Sequence, residues 1–212
     1  MKMNEYHKIQ SVYLRDPANR HKTFLDGQWS MPEFGYLAGN EWIWTEKVDG
    51  TNVRVHWDGE KVTIGGRTKD AQMPLFLVYR LEALFPRVLF QTHFPESSDV
   101  LLFGEGYGAK IQKAGGNYNP AGVDFALFDV MIGGIFLERS NVEDIASKMT
   151  IGIVPVVGKG TILDAIDATR FGQVSQWGAF TSEGLVLRPL VELMTRNGHR
   201  VITKVKHRDF VK

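Results

Sequence analysis

The sequence predicts an α+β fold: antiparallel-rich β-sheets with flanking helices. Three observations carry that prediction. Short apolar runs end in glycines ("DVLLFGEGYG", "VDFALFDVMIGG"), one alternating run turns back on itself through Asp58 and Gly59, and the helical segments do not alternate regularly with the strands. A doubly wound parallel sheet would need that regular alternation.

The elements follow in order. The first forty residues are polar with scattered aromatics and carry no clear period. "NVRVHW" sets Val53, Val55 and Trp57 against Asn52, Arg54 and His56, the pattern of a half-buried strand. "DG" at 58–59 then reads as a two-residue hairpin turn, and "KVTIGG" returns. That register places Val55 opposite Val62, Val53 opposite Ile64 and Asn52 opposite Gly65, and it carries Arg67 alongside Gly50, close to Lys47. "MPLFLVYRLEALF" reads as a helix opened by Pro74, with Leu75, Val78, Leu81 and Phe85 on one face. "SNVEDIASKM" shows a capping box from Ser140 to Glu143, and "TILDAIDATRF" opens in a similar way. "EGLVLRPL" and "HRVITKVK" are the last two strands.

At 212 residues the chain is expected to form one domain, residues 1–212, with enough length to bury a core. The absence of cysteine excludes disulfides, a cysteine nucleophile and cysteine-ligated zinc. "MKMNEYHKIQ" has no apolar signal region, and no stretch approaches a membrane span, so a soluble, cytoplasmic protein with no membrane partner is expected. The oligomeric state is left open. The formal net charge of +1 hides an asymmetry. From Arg188 to Lys212, seven Lys and Arg residues stand against only Glu192 and Asp209. A basic end on a near-neutral chain suits an anion bound locally, although a charge run is also the ordinary dress of a solvated face.

The chemistry-bearing residues sit at strand ends. Lysine has a free pKa of about 10.4 and becomes a nucleophile only where its surroundings favour the neutral amine. Lys47 precedes "VDGTN", Glu105 sits among the glycines of "FGEGYG", and Phe128 stands beside Asp129 in "FALFD". Glu183 leads an apolar strand, and Lys204 and Lys206 share one strand face because side chains alternate with period two. Taken one at a time these are ordinary loop, core and surface features. Their order gives them meaning.

That ordered set ("KVDGTN", "GGRT", "FGEGYG", "FALFD", "EGLVLRP" and "TKVK") resembles the covalent nucleotidyltransferases, the superfamily of polynucleotide ligases and mRNA capping enzymes. It is most similar to the RNA ligase 2 branch, because Asn52 stands two residues after the Asp-Gly where DNA ligases and capping enzymes usually carry arginine. The resemblance runs from residue 46 to 206 and implies an ATP-grasp-like adenylation domain. Lys47 would attack the α-phosphate of ATP and form a lysyl-AMP. Glu46 would help read the adenine, Phe128 would stack on it, and Glu105 would meet the ribose. Asn52 and Arg67 would contact ribose or phosphate oxygens, and Lys204 and Lys206 would neutralise the phosphates and keep Lys47 unprotonated. Glu183 would position hydrated Mg²⁺ (or Mn²⁺). The implied activity is ATP-dependent joining of 5′-phosphate and 3′-OH ends of RNA, in a nicked duplex or as single-strand ends, as in RNA repair.

The alternatives are a DNA or RNA–DNA hybrid nick-sealing enzyme, a capping-type guanylyltransferase and a catalytically silent end-binding module. Arg188 departs from the pattern, since members often carry lysine there, and arginine is not a compact ammonium. The chain stops six residues after Lys206, so the separate C-terminal domain of many ligases is not expected in it.

Overall fold

The computed structural model describes residues 5–68 and 71–210. Lys212, the last cation of the basic end, lies outside the described residues. The chain divides into two compact units, Met1–His7 with Asp49–Val154, and Lys8–Val48 with Pro155–Lys212. The fold is α+β and antiparallel-rich, as the sequence predicts, and among the described residues no sheet closes into a barrel.

The chain enters the second unit through β1 (Gln10–Ser11), β2 (Tyr13–Arg15), β3 (Phe24–Trp29), the short helix α1 (Pro32–Tyr36) and β4 (Trp42–Glu46). It crosses to the first unit for β5 (Thr51–Trp57), β6 (Val62–Gly66), α2 (Leu75–Leu84), α3 (Arg87–His93), β7 (Val100–Gly108), α4 (Gly115–Tyr118), β8 (Val123–Ile132), β9 (Ile135–Phe136), α5 (Arg139–Met149) and β10 (Gly152–Ile153). It then returns for β11 (Val156–Gly160), α6 (Ile162–Phe171), β12 (Gly184–Pro189) and β13 (Thr203–Lys206).

In the first unit the sheet runs β10-β8-β7-β5-β6, with β9 paired to β8. One face buries Val53, Val55, Trp57, Leu102 and Leu127 against Leu77 and Leu81 of α2, Phe90 of α3 and Val142 of α5. Strand β5 is buried on both faces, not half-buried: Arg54 is 0% and His56 8% exposed. Tyr6 lies over the second face, its ring 4.9 Å from that of Phe103 and 6.1 Å from that of Phe136. Arg54 meets its desolvation by donating from Nε to the Gly66 carbonyl at 2.6 Å, and His56 Nε2 sits 3.1 Å from Asp99 Oδ1.

The hairpin register differs from the prediction by two residues. Trp57 pairs with Val62, Val55 with Ile64 and Val53 with Gly66. The turn is four residues long because the Asp58 carboxylate accepts from the Glu60 and Lys61 amides at 3.0 and 2.8 Å, building a side-chain turn. Helix α2 buries Leu77 and Leu81, followed by Phe85, while Leu75 is 69% exposed. The face therefore starts at Leu77. The predicted Ser140 capping box is also absent: α5 begins after Glu138 with no side-chain cap, and Glu143 takes a 2.8 Å contact from Arg139 instead. The second box is present, with Thr161 and Asp164 capping each other at the start of α6.

The second unit carries a five-stranded sheet in the order β1-β13-β12-β4-β11 and the separate pair β2-β3. Its core gathers Trp42, Leu185, Leu187 and Val205 against Ile162, Ala165 and Ile166 of α6. β13 is thus an interior strand, antiparallel to β12 and parallel to β1. No helix among the described residues is long and apolar enough to cross a membrane.

Candidate active site

Strand alternation places the candidate site residues of the second unit on the face opposite its core. Leu185, Leu187 and Val205 point into the core, so Val186, Lys204 and Lys206 point away from it. Lys47 extends β4 by one step, its amide donating to the Gly184 carbonyl at 2.9 Å. Gly184 in turn pairs with Lys206. Lys47 and Lys206 therefore flank a glycine. A Cβ at Gly184 would come 2.0 Å from the Val205 carbonyl oxygen, so only glycine lets β12 and β13 approach here.

Glu183 holds the two lysines. Its Oε2 accepts from Lys47 Nζ at 2.6 Å and its Oε1 from Lys206 Nζ at 2.5 Å. All three side chains are less than one fifth exposed. Burial by itself would raise the Glu183 carboxyl, but the charges of Lys47 and Lys206 and their hydrogen bonds outweigh it and hold the group below the usual carboxylate range. Lys204 stands one alternation away on the same face, opposite Val186 on one side and Ser11 on the other.

Glu46 points the other way. It is 1% exposed, and its two oxygens accept from the Ser175 hydroxyl at 2.6 Å and the Gln176 amide at 2.8 Å. Burial raises its carboxyl above the ordinary value, and those two hydrogen bonds only partly oppose the rise. Here Glu46 ties down the segment after α6. No periodicity in "QVSQWGAF" signals that partner.

In the first unit Asn52 of β5 pairs directly with Glu105 of β7. Asn52 Oδ1 is buried and makes no hydrogen bond to the protein, an acceptor left over for a donor from elsewhere. Arg67 is exposed and follows Gly66, which pairs with Val53. The arginine therefore comes level with Asn52 and not with Gly50, the consequence of the two-residue register shift. Phe128 is the extra residue of a β-bulge: Phe103 pairs with Asp129, and Gly104 with Leu127. A bulge re-aims one side chain out of the pleat, which gives Phe128 an orientation of its own. Its neighbour Asp129 is 0% exposed and accepts from the Tyr6 hydroxyl at 2.5 Å.

The Asp-Gly of "KVDGTN" makes no hairpin. A Cβ at Gly50 would lie 2.4 Å from the Gly106 carbonyl oxygen and 2.7 Å from Glu105 Cγ, so the glycine lets the chain pass close to β7. Asp49 Oδ2 accepts from the Ala114 amide at 3.3 Å. The sheets thus bring together two sets, each within its own unit: Lys47, Glu183, Lys204 and Lys206, with Glu46 on the reverse face, and Asn52 and Glu105 near Arg67 and Phe128.

A sequence profile of RNA ligases matches residues 40–206, nearly four fifths of the chain. The chain belongs to the RNA ligase family. Among solved structures, this family member is similar to Naegleria gruberi RNA ligase with PPi, at 18% identity and a TM-score of 0.64 over 93% of this chain and 56% of that one. A mutant of the same ligase with ATP and Mn matches at 16% identity and a TM-score of 0.67, covering 96% and 56%. Another mutant with ATP and Mn matches at 17% and 0.66, covering 99% and 64%. The family member shares the fold of those structures and spans a little over half the length of the first two.

Proposed function

We propose that the chain is an ATP-dependent RNA ligase that works through a lysyl-AMP on Lys47. The observation that carries this reading is the lysine pair on one carboxylate: Lys47 and Lys206 on Glu183, with Lys204 on the same strand face. In the first step the Lys47 Nζ lone pair bonds to the α-phosphorus of ATP, the bond to the pyrophosphate oxygen breaks, and Nζ loses a proton. A 5′-phosphate oxygen of RNA next attacks that phosphorus, the P–N bond breaks as Nζ takes up a proton, and AMP passes to the strand end. A 3′-OH then attacks the adenylated 5′-phosphate, gives up its proton and releases AMP.

Positioning and charge complementarity supply the rate in chemistry of this kind. Lys204 and Lys206 stabilise the negative charge that builds on the phosphates. Phe128 offers a flat surface to the base, and Asn52, Arg67 and Glu105 offer donors and acceptors to the ribose and phosphates. Glu46 serves the base by fixing the Ser175–Gln176 segment. Among the described residues no group of three or more His, Cys, Asp or Glu side chains is placed to cage a metal. Glu183 would hold a hydrated Mg²⁺ or Mn²⁺ once one of its two oxygens is released by its lysine, and the cation when bound would neutralise phosphate charge. The solved neighbours with ATP and Mn favour ATP and a divalent cation. Residues 1–212 would form a single adenylation domain.

The test is intact mass after incubation with ATP and Mg²⁺. The mass is expected to rise by one AMP, and Lys47→Ala to abolish the rise. Adenylation at another lysine, or none, would overturn the assignment. Sealing assays on nicked RNA, nicked DNA and single strands then fix the substrate.

A further inference from the structure

The second unit contains a groove of about 490 Å³, with Lys204 and Lys206 in its wall. Its remaining lining comes from Lys8–Ser11, from residues of the β2–β3 region and from Arg208. The lining contains Lys8, Arg15, His21, Lys204, Lys206 and Arg208 but, among the described residues, no Asp or Glu. Arg15 is already answered: its Nη2 donates to both Asp209 oxygens at 2.9 Å, which ties β2 to the turn that carries Arg208. Lys8, His21 and Arg208 are exposed. His21 follows Arg20 in a turn where both residues sit at φ 61°, a conformation uncommon for side-chain-bearing residues, and this turn sets His21 in the lining.

Two further features say what kind of anion suits the groove. Tyr13 in the lining is 5% exposed and packed against Phe24 and Trp29, so its ring is closed to a base and the exposed lining is dominated by cations. Lys206, one of the lining residues, also shares Glu183 with Lys47, so the groove adjoins the lysine pair of the proposed reaction.

We propose that this groove holds the phosphodiester backbone of the RNA strand whose 5′-phosphate is activated, with Lys8, His21 and Arg208 on the phosphates that follow the first. The proposal rests on the ligase reading for the identity of the strand, but not for the presence of a polyphosphate site. It joins the N-terminal segment to the basic C-terminal strand, two regions that the parallel pairing of β1 with β13 makes neighbours.

The experiment measures binding of a short 3′-labelled, 5′-phosphorylated single-stranded RNA over a salt series, without ATP or metal, to the wild type and to Lys8→Ala/Arg208→Ala. Inorganic tripolyphosphate is the competitor. Removing two phosphate contacts is expected to weaken RNA binding about tenfold and to flatten the log–log salt slope by roughly 1.4. The Lys8→Arg/Arg208→Lys pair is expected to restore both, and self-adenylation is expected to be unchanged in every variant. Unaltered RNA affinity and slope in the double variant would overturn the proposal. So would a loss confined to tripolyphosphate, which would make the groove a site for free polyphosphate. If RNA binding behaves as expected while Lys47 never takes up AMP, the groove stands and the ligase reading falls.

Discussion

Lys47 and Lys206 share the carboxylate of Glu183, at 2.6 and 2.5 Å. That contact favours the ammonium form of Lys47, whereas attack on phosphorus requires a lone pair. Against the expectation that Lys204 and Lys206 keep Lys47 unprotonated, Glu183 pulls the other way, and in the proposed reaction Lys47 would have to leave it. Glu183→Gln removes the opposing charge and keeps the shape. The pH–rate profile for self-adenylation is expected to move to lower pH. The maximal rate falls as well, but the displacement of the profile is the discriminating readout. A profile that keeps its position would mean that Glu183 does not govern the protonation of Lys47.

The two glutamates of this region pull stability in opposite directions with pH. The Glu183 carboxyl is held low by Lys47 and Lys206 against the effect of burial. Its contribution is therefore complete above the unfolded carboxylate value and disappears as pH falls through the lower folded value. The Glu46 carboxyl is raised by burial. Its charged form is the disfavoured one, so stability is lost as pH rises from the unfolded value through the raised folded value. Denaturant unfolding across pH 3–7 is the measurement, a range set at roughly the carboxylate region. Glu183→Gln is expected to flatten the acid side of the profile, and Glu46→Gln to remove the loss on the other side. Parallel profiles for the two variants would contradict these assignments.

Residues whose meaning is local were legible in the sequence. Lys204 and Lys206 share a face because a strand has period two, and Thr161 and Asp164 cap α6 because both partners lie within one turn. Residues whose meaning is tertiary were not. Glu183 reaches Lys47 only because β12 lies antiparallel to β4, a pairing no periodicity reports. The hairpin register failed for a different reason: the Asp58 side chain took over two backbone amides and lengthened the turn. The Phe128 bulge, the close passage of Gly50 past Gly106 and the latch on Glu46 likewise arise from neighbours distant in sequence.

Strand β13 separates charge from core residue by residue. Val205 is 0% exposed inside the second unit's core, while Lys204 and Lys206 face away. Val205→Asp buries a carboxylate with no partner, and a loss of at least 3 kcal/mol or outright failure to fold is expected, on the order of other uncompensated buried charges. Lys204→Ala and Lys206→Ala are expected to stay within about 1–2 kcal/mol of wild type yet to cut self-adenylation at least about a hundredfold, the scale of removing one transition-state donor. Thermal unfolding and adenylation rates on the same preparations separate the two effects. Equal, mild losses at all three positions would reduce the strand to a scaffold.

Tyr6 helps anchor the N-terminal segment of the first unit through a buried hydrogen bond. Its hydroxyl donates to Asp129 Oδ2 at 2.5 Å, and its ring sets its edge against Phe128 with centroids 5.1 Å apart. Asp129 is fully buried, so Tyr6→Phe takes a donor from a desolvated acceptor and is expected to cost about 1–3 kcal/mol in the first unit. The same change loosens what rests against Phe128, the proposed base platform, without touching Lys47. The KM for ATP in self-adenylation is therefore expected to rise several-fold while the maximal rate changes little. With the tyrosine retained, Asp129→Asn keeps an acceptor for its hydroxyl and is expected to cost less than Tyr6→Phe. Hydrogen exchange at the amides of Phe128 and Asp129 reports the local loosening directly. Unchanged protection there, together with an unchanged KM, would show that Tyr6 closes the sheet face and has no part in holding the nucleotide.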